Sequence, residues 1–488
     1  MMRVWLIQAR CTVLHHGVAV LLIQFLLQSI TLPVAQALST TIQSNPTKVV
    51  ILGGTGRIGT AVATHLLQRA PNYHIELVGR RPSGQAAIDE ILADCPNSRI
   101  SYRQVESVWQ KSSDLMDVIN DADCVIHTAG PYLDEKPIPL ELAIASERCR
   151  AYVDISDPLP FLETSLLMDS KAKASNTVAL VAAGAFPGMS NVLAAEAASH
   201  AVSKGPGKIQ DIRFQYFTAG LGGSGVVNLY ITNLGFGEPM VGYDQGQLRF
   251  FMELSGRLLG RVDFFLPFLK NHEGNNQVQE RVGTKTVFAW PFPEAATTAK
   301  QLNAKGNSVA AMGTAPNIWN DMLGILVSIV PRSWWRNPRF SQWMADFSKP
   351  MVLATDAWMK WTGMGETHAM RIDVTKKFGR DDAGGVSIVQ AHDSFRVCVG
   401  QSCAEFALDL LLEAPNHGDE ETRTGVMLPE QRYANDKDRA RILKRLTTTP
   451  GTFCYTGPVE VDVSPDPPTK YNQALDKANQ EEEAKMSG

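Results

Sequence analysis

A short apolar run that ends in a cluster of glycines carries the clearest chemistry in this sequence. Gly54, Gly56 and Gly59 follow the run with the spacing G-x-G-x-x-G, and apolar residues at helical spacing come after them. In a strand–turn–helix unit these glycines permit a tight turn, close approach of a pyrophosphate, and close helix–strand packing. The helix N-terminus then offers free N–H groups to phosphate. The pattern predicts a dinucleotide site formed by Gly53, Gly54, Thr55, Gly56, Arg57, Ile58 and Gly59.

The end of the second predicted strand indicates which dinucleotide binds. NAD-dependent enzymes usually carry Asp or Glu there, to hold the ribose hydroxyls. This sequence has Arg80 and Arg81 instead, followed by Ser83, and Glu76 lies too early in the strand. Guanidinium groups bind phosphate through a planar fork, so the pair favours NADP(H), with its 2′-phosphate. The alternative is a pair of solvated arginines at a loop tip.

Alternating strand and helix patterns position these residues. The predicted strands are Lys48–Leu52, Ile75–Val78, Ile100–Gln104, Cys124–His127, Ala151–Asp154 and Val178–Ala182. The predicted helices are Arg57–Gln68, Gln85–Ala93, Ser112–Ile119, Leu140–Glu147 and Pro160–Lys173. Such units, joined by right-handed crossovers, predict an α/β fold with a doubly wound parallel sheet. The cofactor then lies across the carboxyl ends of the strands.

Three loops at those carboxyl ends should face one cleft. Small residues follow the fourth strand and let the backbone approach the cofactor, so Ala129, Gly130 and Pro131 are predicted cofactor contacts. The candidate substrate cleft comprises Tyr132, Asp154, Ser156 and Phe186. Two roles remain open for Asp154 and Asp157, which either hold a substrate amine or cap the next helix. No catalytic residue is assigned. No metal-ligand spacing occurs, so we expect no metal site.

Several of these segments also carry a resemblance to a known family. Residues 53–59 (GGTGRIG), 123–132 (DCVIHTAGPY), 152–157 (YVDISD) and 184–188 (GAFPG) fall in the order and spacing of the saccharopine dehydrogenase-like oxidoreductases. The match covers residues 48–195 and returns at 425–430 (GVMLPE). The chain looks like the plastid or bacterial branch of that family. The resemblance implies a Rossmann domain, an inserted α+β domain, NADP(H), and often dimerisation through the insert.

This resemblance leads to one principal functional hypothesis and two alternatives. The principal hypothesis is an NADP(H)-dependent oxidoreductase that transfers hydride to or from a small carbon–nitrogen or carbonyl substrate. A dinucleotide-binding scaffold or membrane-associated protein without turnover is the first alternative. The second is an atypical short-chain dehydrogenase, because Tyr132 and Lys136 match a Tyr-x-x-x-Lys pair. Pro137 opposes the helix that this pair needs in that class. A net charge of -4 argues against nucleic-acid binding.

The 488 residues divide into five predicted regions. Residues 1–46 read as a presequence, with an apolar run followed by Ala35-Gln36-Ala37, a small-residue cleavage signal. The hydroxylated segment after it predicts import into the plastid of a secondary-plastid alga, and the alternative is the secretory pathway. Residues 47–190 are the predicted NADP-binding domain and 191–400 the α+β substrate and dimerisation domain. Residues 401–457 are a helical return to the first domain, and 458–488 a disordered tail.

Aromatic residues concentrate in one part of the second region. Seven of the nine tryptophans lie between Trp290 and Trp361, within and before the Trp-rich segment 319–361. Its apolar run at 322–330 is too short to span a bilayer. Two interpretations remain open: a buried helix and homodimer interface, or a helix at a membrane surface.

Overall fold

The computed structural model of the chain describes residues 46–205, 207–220, 225, 227–251, 256, 258–378, 382–413 and 424–461. Within these ranges the strands are β1 Lys48–Leu52, β2 His74–Gly79, β3 Arg99–Gln104, β4 Cys124–His127, β5 Ala151–Asp154, β6 Val178–Leu180, β7 Lys208–Ala219, β8 Met240–Asp244, β9 Gln247–Phe251, β10 Leu258–Asp263, β11 Thr284–Ala289, β12 Ser308–Ala315, β13 His368–Phe378, β14 Asp382–His392, β15 Gly425–Met427, β16 Thr452–Tyr455 and β17 Val459–Val461.

The helices of the same ranges are α1 Arg57–Arg69, α2 Gln85–Asp94, α3 Ser113–Asn120, α4 Ile138–Ala145, α5 Leu159–Leu166, α6 Asp169–Ala174, α7 Met189–Ser203, α8 Val227–Gly235, α9 Glu273–Arg281, α10 Glu294–Gln301, α11 Ile318–Ile329, α12 Arg332–Trp335, α13 Pro338–Trp361, α14 Phe395–Glu413, α15 Pro429–Arg432 and α16 Asp436–Thr447. Contacts group Thr47–Gly488 as one unit and Met1–Pro46 as another. The predicted presequence lies almost wholly outside the described residues.

The first sheet is parallel, in the order β15–β6–β5–β4–β1–β2–β3. Its central strand shows why helices cover both faces. Val49 and Ile51 of β1 pack in the core with α1 and α2, whereas Val50 and Leu52 pack in the core with α3 and α4. A strand buried on both sides needs an unbroken apolar run, as β1 has. The predicted doubly wound α/β sheet is confirmed.

The second sheet is mixed, in the order β10–β11–β12–β7–β13–β14–β16. Only β7 and β12 pair in parallel along this path, and the other neighbours on it are antiparallel. Ile212, Phe214 and Tyr216 of β7 alternate toward the core that also contains one side of α7. Helix α7, which follows the loop after β6, therefore packs between the second sheet and the first. This places the face of the second sheet beside the carboxyl ends of β5 and β6.

The C-terminal region contributes to both sheets. β15 pairs with β6 in the first sheet, while β16 and β17 pair with β14 in the second. The segment predicted as a helical return over 401–457 is thus divided between them. Val459–Val461 form a strand at the start of the predicted disordered tail, because they complete backbone hydrogen bonds of β14. The remainder of that tail, from residue 462, lies outside the described residues.

Helix α14 packs along α1, the helix that begins at the glycine turn. A Cβ on Gly400 would lie 2.6 Å from the Cβ of Ala61, so the two helices approach closely. The carboxylate of Glu405 is buried between them and accepts from His65 and Arg69 of α1, both at 2.8 Å. These hydrogen bonds tie the late part of the chain to its first helix.

Candidate functional site

The glycine turn lies directly after β1. Gly53 has a φ of +79°, and its N–H donates to the carbonyl of Val78 in β2 at 2.9 Å. A Cβ at Gly54 would lie 2.8 Å from the nearest backbone oxygen, and a Cβ at Gly59 would lie 2.4 Å from the oxygen of Gly53. The turn and its contact with α1 therefore require glycine at these positions.

The N-terminus of α1 is open to an anion. Gly56 is its exposed N-cap residue, and among the described residues no side chain caps it. The first turn contains no acidic residue either. Its N–H groups and the positive end of the helix dipole are consequently directed at the space above the turn. This arrangement fits the pyrophosphate of a dinucleotide.

The loop after β4 lies against the glycine turn. The backbone nitrogen of Ala129 would be 2.7 Å from a Cβ on Gly53, so the two loops touch. Gly130 and Pro131 are exposed beside them. A Cβ on Gly130 would meet only the ring of Tyr132, at 3.8 Å, which leaves open space above this residue. The structure thus brings the predicted cofactor residues of both loops together.

The two arginines after β2 lie on an exposed loop that the neighbouring strand holds in place. The Tyr102 hydroxyl of β3 donates to the carbonyls of Gly79 and Arg81, and the Gln104 amide donates to the carbonyl of Arg80 at 3.2 Å. Neither guanidinium has a hydrogen-bond or ion-pair partner among the described residues. Because the backbone is fixed while the side chains are unpaired, both arginines are free to bind a phosphate.

Arg57, the predicted cofactor residue at the start of α1, also contacts the second sheet. Its guanidinium forms an ion pair with Glu366, which precedes β13 of the second sheet. The other oxygen of Glu366 accepts from the Ser394 hydroxyl at 2.8 Å, next to the start of α14. Arg57 therefore links the glycine turn to the second sheet. Sequence reasoning missed Glu366, since nothing near it in sequence indicates this pairing.

Three residues predicted to line the substrate cleft are interior instead. Tyr132 is buried, and its hydroxyl donates to the backbone carbonyl of His127 at 2.6 Å. Asp154 is fully buried and accepts from the hydroxyls of Ser156 and Tyr152, at 2.5 and 3.2 Å. Ser156 is buried as well. The side chains of Asp154 and Ser156 bond each other, Tyr132 bonds the backbone, and all three lie beneath the surface in this structure.

Burial shifts the pKa values of the interior polar groups around β4. Burial lowers the pKa of His127 to about 3. Its Nδ1 lies 3.2 Å from the hydroxyl of Tyr152, and its ring packs on Trp109. Burial raises the pKa of Asp154, while hydrogen bonds from Ser156 and from the N–H of Ala182 oppose that shift. This network supports the site from below.

Phe186, the fourth predicted cleft residue, lies where the two sheets meet. Its ring stacks on Tyr216 of β7 at a centroid distance of 4.1 Å and on Phe395 of α14 at 4.7 Å. Both partners come from elements that follow the first six strands. Phe186 is nearly buried as a result, and the loop after β6 is covered by the second sheet.

A buried hydrogen-bonded pair, Tyr216 and Glu294, lies behind Phe186. The Tyr216 hydroxyl donates to Glu294 Oε1 at 2.5 Å, and both side chains are fully buried. The pKa of Glu294 is raised to about 8, mainly by burial and in smaller part by the carboxyls of Glu430 and Asp157, while the hydrogen bond from Tyr216 opposes the shift. Glu294 Oε2 has no partner among the described residues. Glu294 is therefore protonated at neutral pH, in the wall between the second sheet and the exposed Asp157 loop.

Nothing in the sequence indicated that Tyr216 and Glu294 would meet. Tyr216 lies in a strand pattern and Glu294 begins α10, 78 positions further along the chain. Only the folding of the second sheet against α10 brings them together.

Among the described residues, no group of His, Cys, Asp and Glu side chains could hold a metal ion.

Two solved structures are similar to this chain in fold. Apo saccharopine dehydrogenase (L-Glu forming) from Saccharomyces cerevisiae is 12% identical, with a TM-score of 0.55 over 85% of this chain and 100% of that chain. A homospermidine synthase from Legionella pneumophila, in complex with NAD, is 11% identical, with a TM-score of 0.53 over 86% of this chain and 93% of that chain. The resemblance to saccharopine dehydrogenases is thus confirmed at the level of the fold. No family model and no curated protein sequence matches the chain.

Proposed function

We propose that this protein is an NADP(H)-dependent oxidoreductase that acts on a small carbon–nitrogen or carbonyl substrate. The observation that carries the proposal is the open N-terminus of α1, which follows a glycine turn that touches the loop of Gly130 through Gly53 and Ala129. The similarity in fold to saccharopine dehydrogenase, and to a homospermidine synthase in complex with NAD, supports an oxidoreductase.

The residues present fit a dinucleotide. The first turn of α1 would bind the pyrophosphate. The space above Gly56 and Gly130 would admit the side of the dinucleotide that faces the protein backbone. Arg80 and Arg81 would bind the 2′-phosphate that distinguishes NADP(H) from NAD(H). When bound, the nicotinamide supplies or accepts hydride, and the protein positions it.

The chain's own proton chemistry is best placed at the Tyr216–Glu294 pair. Reduction of a carbonyl or imine requires a proton at the heteroatom, and oxidation requires its removal. A carboxyl group with a pKa of about 8 holds a proton at neutral pH and releases it within one or two pH units. Tyr216 connects that carboxyl to the Phe186 loop. We propose that this pair holds a proton beside the substrate region.

Two other functional classes are weighed by particular contacts. A short-chain dehydrogenase mechanism needs a reactive tyrosine hydroxyl, whereas the hydroxyl of Tyr132 is buried on a backbone carbonyl. A dinucleotide-binding scaffold without turnover is favoured by the burial of Tyr132, Asp154 and Ser156. The two remaining possibilities, enzyme and scaffold, predict the same cofactor binding and different turnover.

The test combines cofactor binding with a substrate screen. Gly130→Val should abolish NADPH binding, as measured by fluorescence. It should not unfold the protein, because the valine side chain would project into open space. Gly384→Val in the second sheet is the matched control, since its Cβ also meets nothing closer than 3.7 Å. A panel of small amino, imino and carbonyl compounds is then assayed for a change in nicotinamide absorbance. NADPH binding unaffected by Gly130→Val refutes the site, and binding without turnover of any compound favours the scaffold.

A further inference from the structure

Helix α13 carries a row of exposed aromatic residues on one side. Trp343, Phe347, Trp358 and Trp361 are 58%, 69%, 51% and 83% exposed, and Met351 continues the row. Successive members are separated by four, four, seven and three residues, which places them on one face of a helix. From Trp343 to Trp361 this row, the aromatic stripe, extends about 27 Å.

The aromatic stripe points away from the protein. Ser341, Ala345, Asp356 and Met359 are the buried residues of α13, and each precedes an exposed aromatic residue by two positions. Two positions correspond to about 200° around a helix, so the exposed and buried rows lie on opposite sides. The helix is thus anchored by one face while the other remains uncovered by any described residue of the chain.

The stripe continues beyond α13. The exposed Trp334 of α12 contacts Phe340, whose ring lies 6.0 Å from that of Trp343, and Trp343 stacks on Phe347 at 5.7 Å. With a fully exposed aromatic side chain at about 200 Å², the five exposed rings from Trp334 to Trp361 leave roughly 600 Å² uncovered. The largest apolar patch of a typical monomer covers about 300–600 Å².

The charges beside the stripe indicate its partner. Arg339, Lys349 and Lys360 lie on one flank of α13 with Asp346 as the intervening acid, although the whole chain has a net charge of -4. Lys360 pairs with Asp356 of the same helix, and Arg339 and Lys349 have no ion-pair partner among the described residues. Tryptophans with flanking cations along a surface helix are typical of helices that lie in the interface of anionic bilayers.

The same flank disfavours a second copy of the chain. A two-fold pairing through the stripe is isologous, so antiparallel α13 helices would place Lys349 near its own equivalent and Arg339 opposite Lys360. Such like-charge contacts weaken association. An anionic surface instead attracts all three cations together.

We propose that α12 and α13 bind the protein to the surface of an anionic lipid bilayer, with the aromatic stripe inserted at headgroup depth. Among the described residues, no helix is long and apolar enough to cross a membrane. The proposed contact is peripheral, at the surface of the bilayer. It is separate from the cofactor site, since none of its residues contributes to the glycine turn, the Arg80 loop or the Gly130 loop.

The experiment uses the chain from Thr47 onward, which contains the complete described core and lacks the apolar N-terminal run. Its co-sedimentation is measured with vesicles of phosphatidylcholine and phosphatidylglycerol, and with phosphatidylcholine alone. Replacing Trp343, Phe347, Trp358 and Trp361 together by Ser should abolish binding, because each lost aromatic contact costs on the order of tenfold in partition. The matched control replaces Phe250 and Phe268, exposed aromatic residues outside the stripe, by Ser and should bind as before.

Charge reversal supplies a second variant that leaves the stripe unchanged. Arg339→Glu with Lys349→Glu should weaken binding to the anionic vesicles and remove its salt dependence. Thermal unfolding and NADPH binding of all variants should match the parent protein. Failure of the parent protein to sediment with anionic vesicles overturns the proposal. So does a parent dimer in analytical ultracentrifugation that the Ser variant converts to monomer, since the stripe is then occupied by a second copy.

Discussion

Replacement of Arg80 by alanine tests the assignment of the cofactor most directly. Its guanidinium is exposed and makes no hydrogen bond or ion pair with the described part of the chain. The substitution should therefore change the free energy of unfolding by no more than about 0.5 kcal/mol. Any change in cofactor affinity can then be attributed to the lost charge.

The expected loss follows from the strength of one charge-assisted hydrogen bond. Such a bond contributes about 1.5–3 kcal/mol, which corresponds to roughly a 10- to 150-fold weaker affinity for NADPH. NADH lacks the 2′-phosphate, so its affinity should not change. Arg81→Ala should behave in the same way, and the double variant should lose most of the preference for NADPH. The NADPH affinity of the parent protein should also fall with ionic strength, because the loop is exposed.

The assay is a fluorescence titration of both cofactors against the parent and variant proteins. Arg99→Ala is the matched control, since Arg99 is also exposed but begins β3 at the amino ends of the strands, opposite the carboxyl ends that Arg80 follows. Tyr102→Phe examines how the loop is held, because it removes the hydroxyl that binds the carbonyls of Gly79 and Arg81. Equal losses for NADPH and NADH in Arg80→Ala would refute the assignment. An unchanged NADPH affinity in the double variant would refute it too.

Three further predictions concern other parts of the chain. Between pH 4.5 and about 8 the folded protein keeps a proton on Glu294 that the unfolded chain has released, so the free energy of unfolding should fall by up to about 1.4 kcal/mol per pH unit across that window. Denaturant titrations at several pH values should show that the free energy of unfolding depends less steeply on pH in Glu294→Gln, and an identical pH dependence would contradict the shift. Gly188→Ala should cost on the order of 3 kcal/mol of stability, because Gly188 has a φ of +133° and its Cβ would lie 2.0 Å from a backbone oxygen, whereas Gly384→Ala should unfold with the parent. N-terminal sequencing of native protein should find a start between Leu38 and Lys48, and retention of the initial methionines would rule out cleavage.

The first sheet could be predicted closely because its strands are specified locally. Central strands of a parallel sheet with two covered faces, such as β1 and β4, are short continuous apolar runs bounded by turn residues. The glycine turn and the arginine loop follow such strands directly. Their positions at the carboxyl ends of the strands could therefore be predicted from the strand order alone.

The remaining site residues depended on contacts that no local pattern reveals. Tyr132 and Asp154 do follow strands, yet their side chains turn inward to satisfy buried partners. The helical return was predicted to start at residue 401, but α14 already begins at Phe395 and is buried along much of its length by tertiary packing. The Tyr216–Glu294 pair depends on the second sheet as a whole. Burial imposed by distant segments was the information that sequence periodicity lacked.

The ties between α14 and α1 have a consequence for the order in which the protein can mature during synthesis. The nucleotide-binding half is encoded first, but its helix α1 is covered only after Glu405 has been translated. The edge of its sheet at β6 stays unpaired until Gly425–Met427 emerge from the ribosome. Nascent chains that end near residue 190 should accordingly expose strand edges and apolar helix surface to chaperones. The first domain by residue order is among the last to become complete.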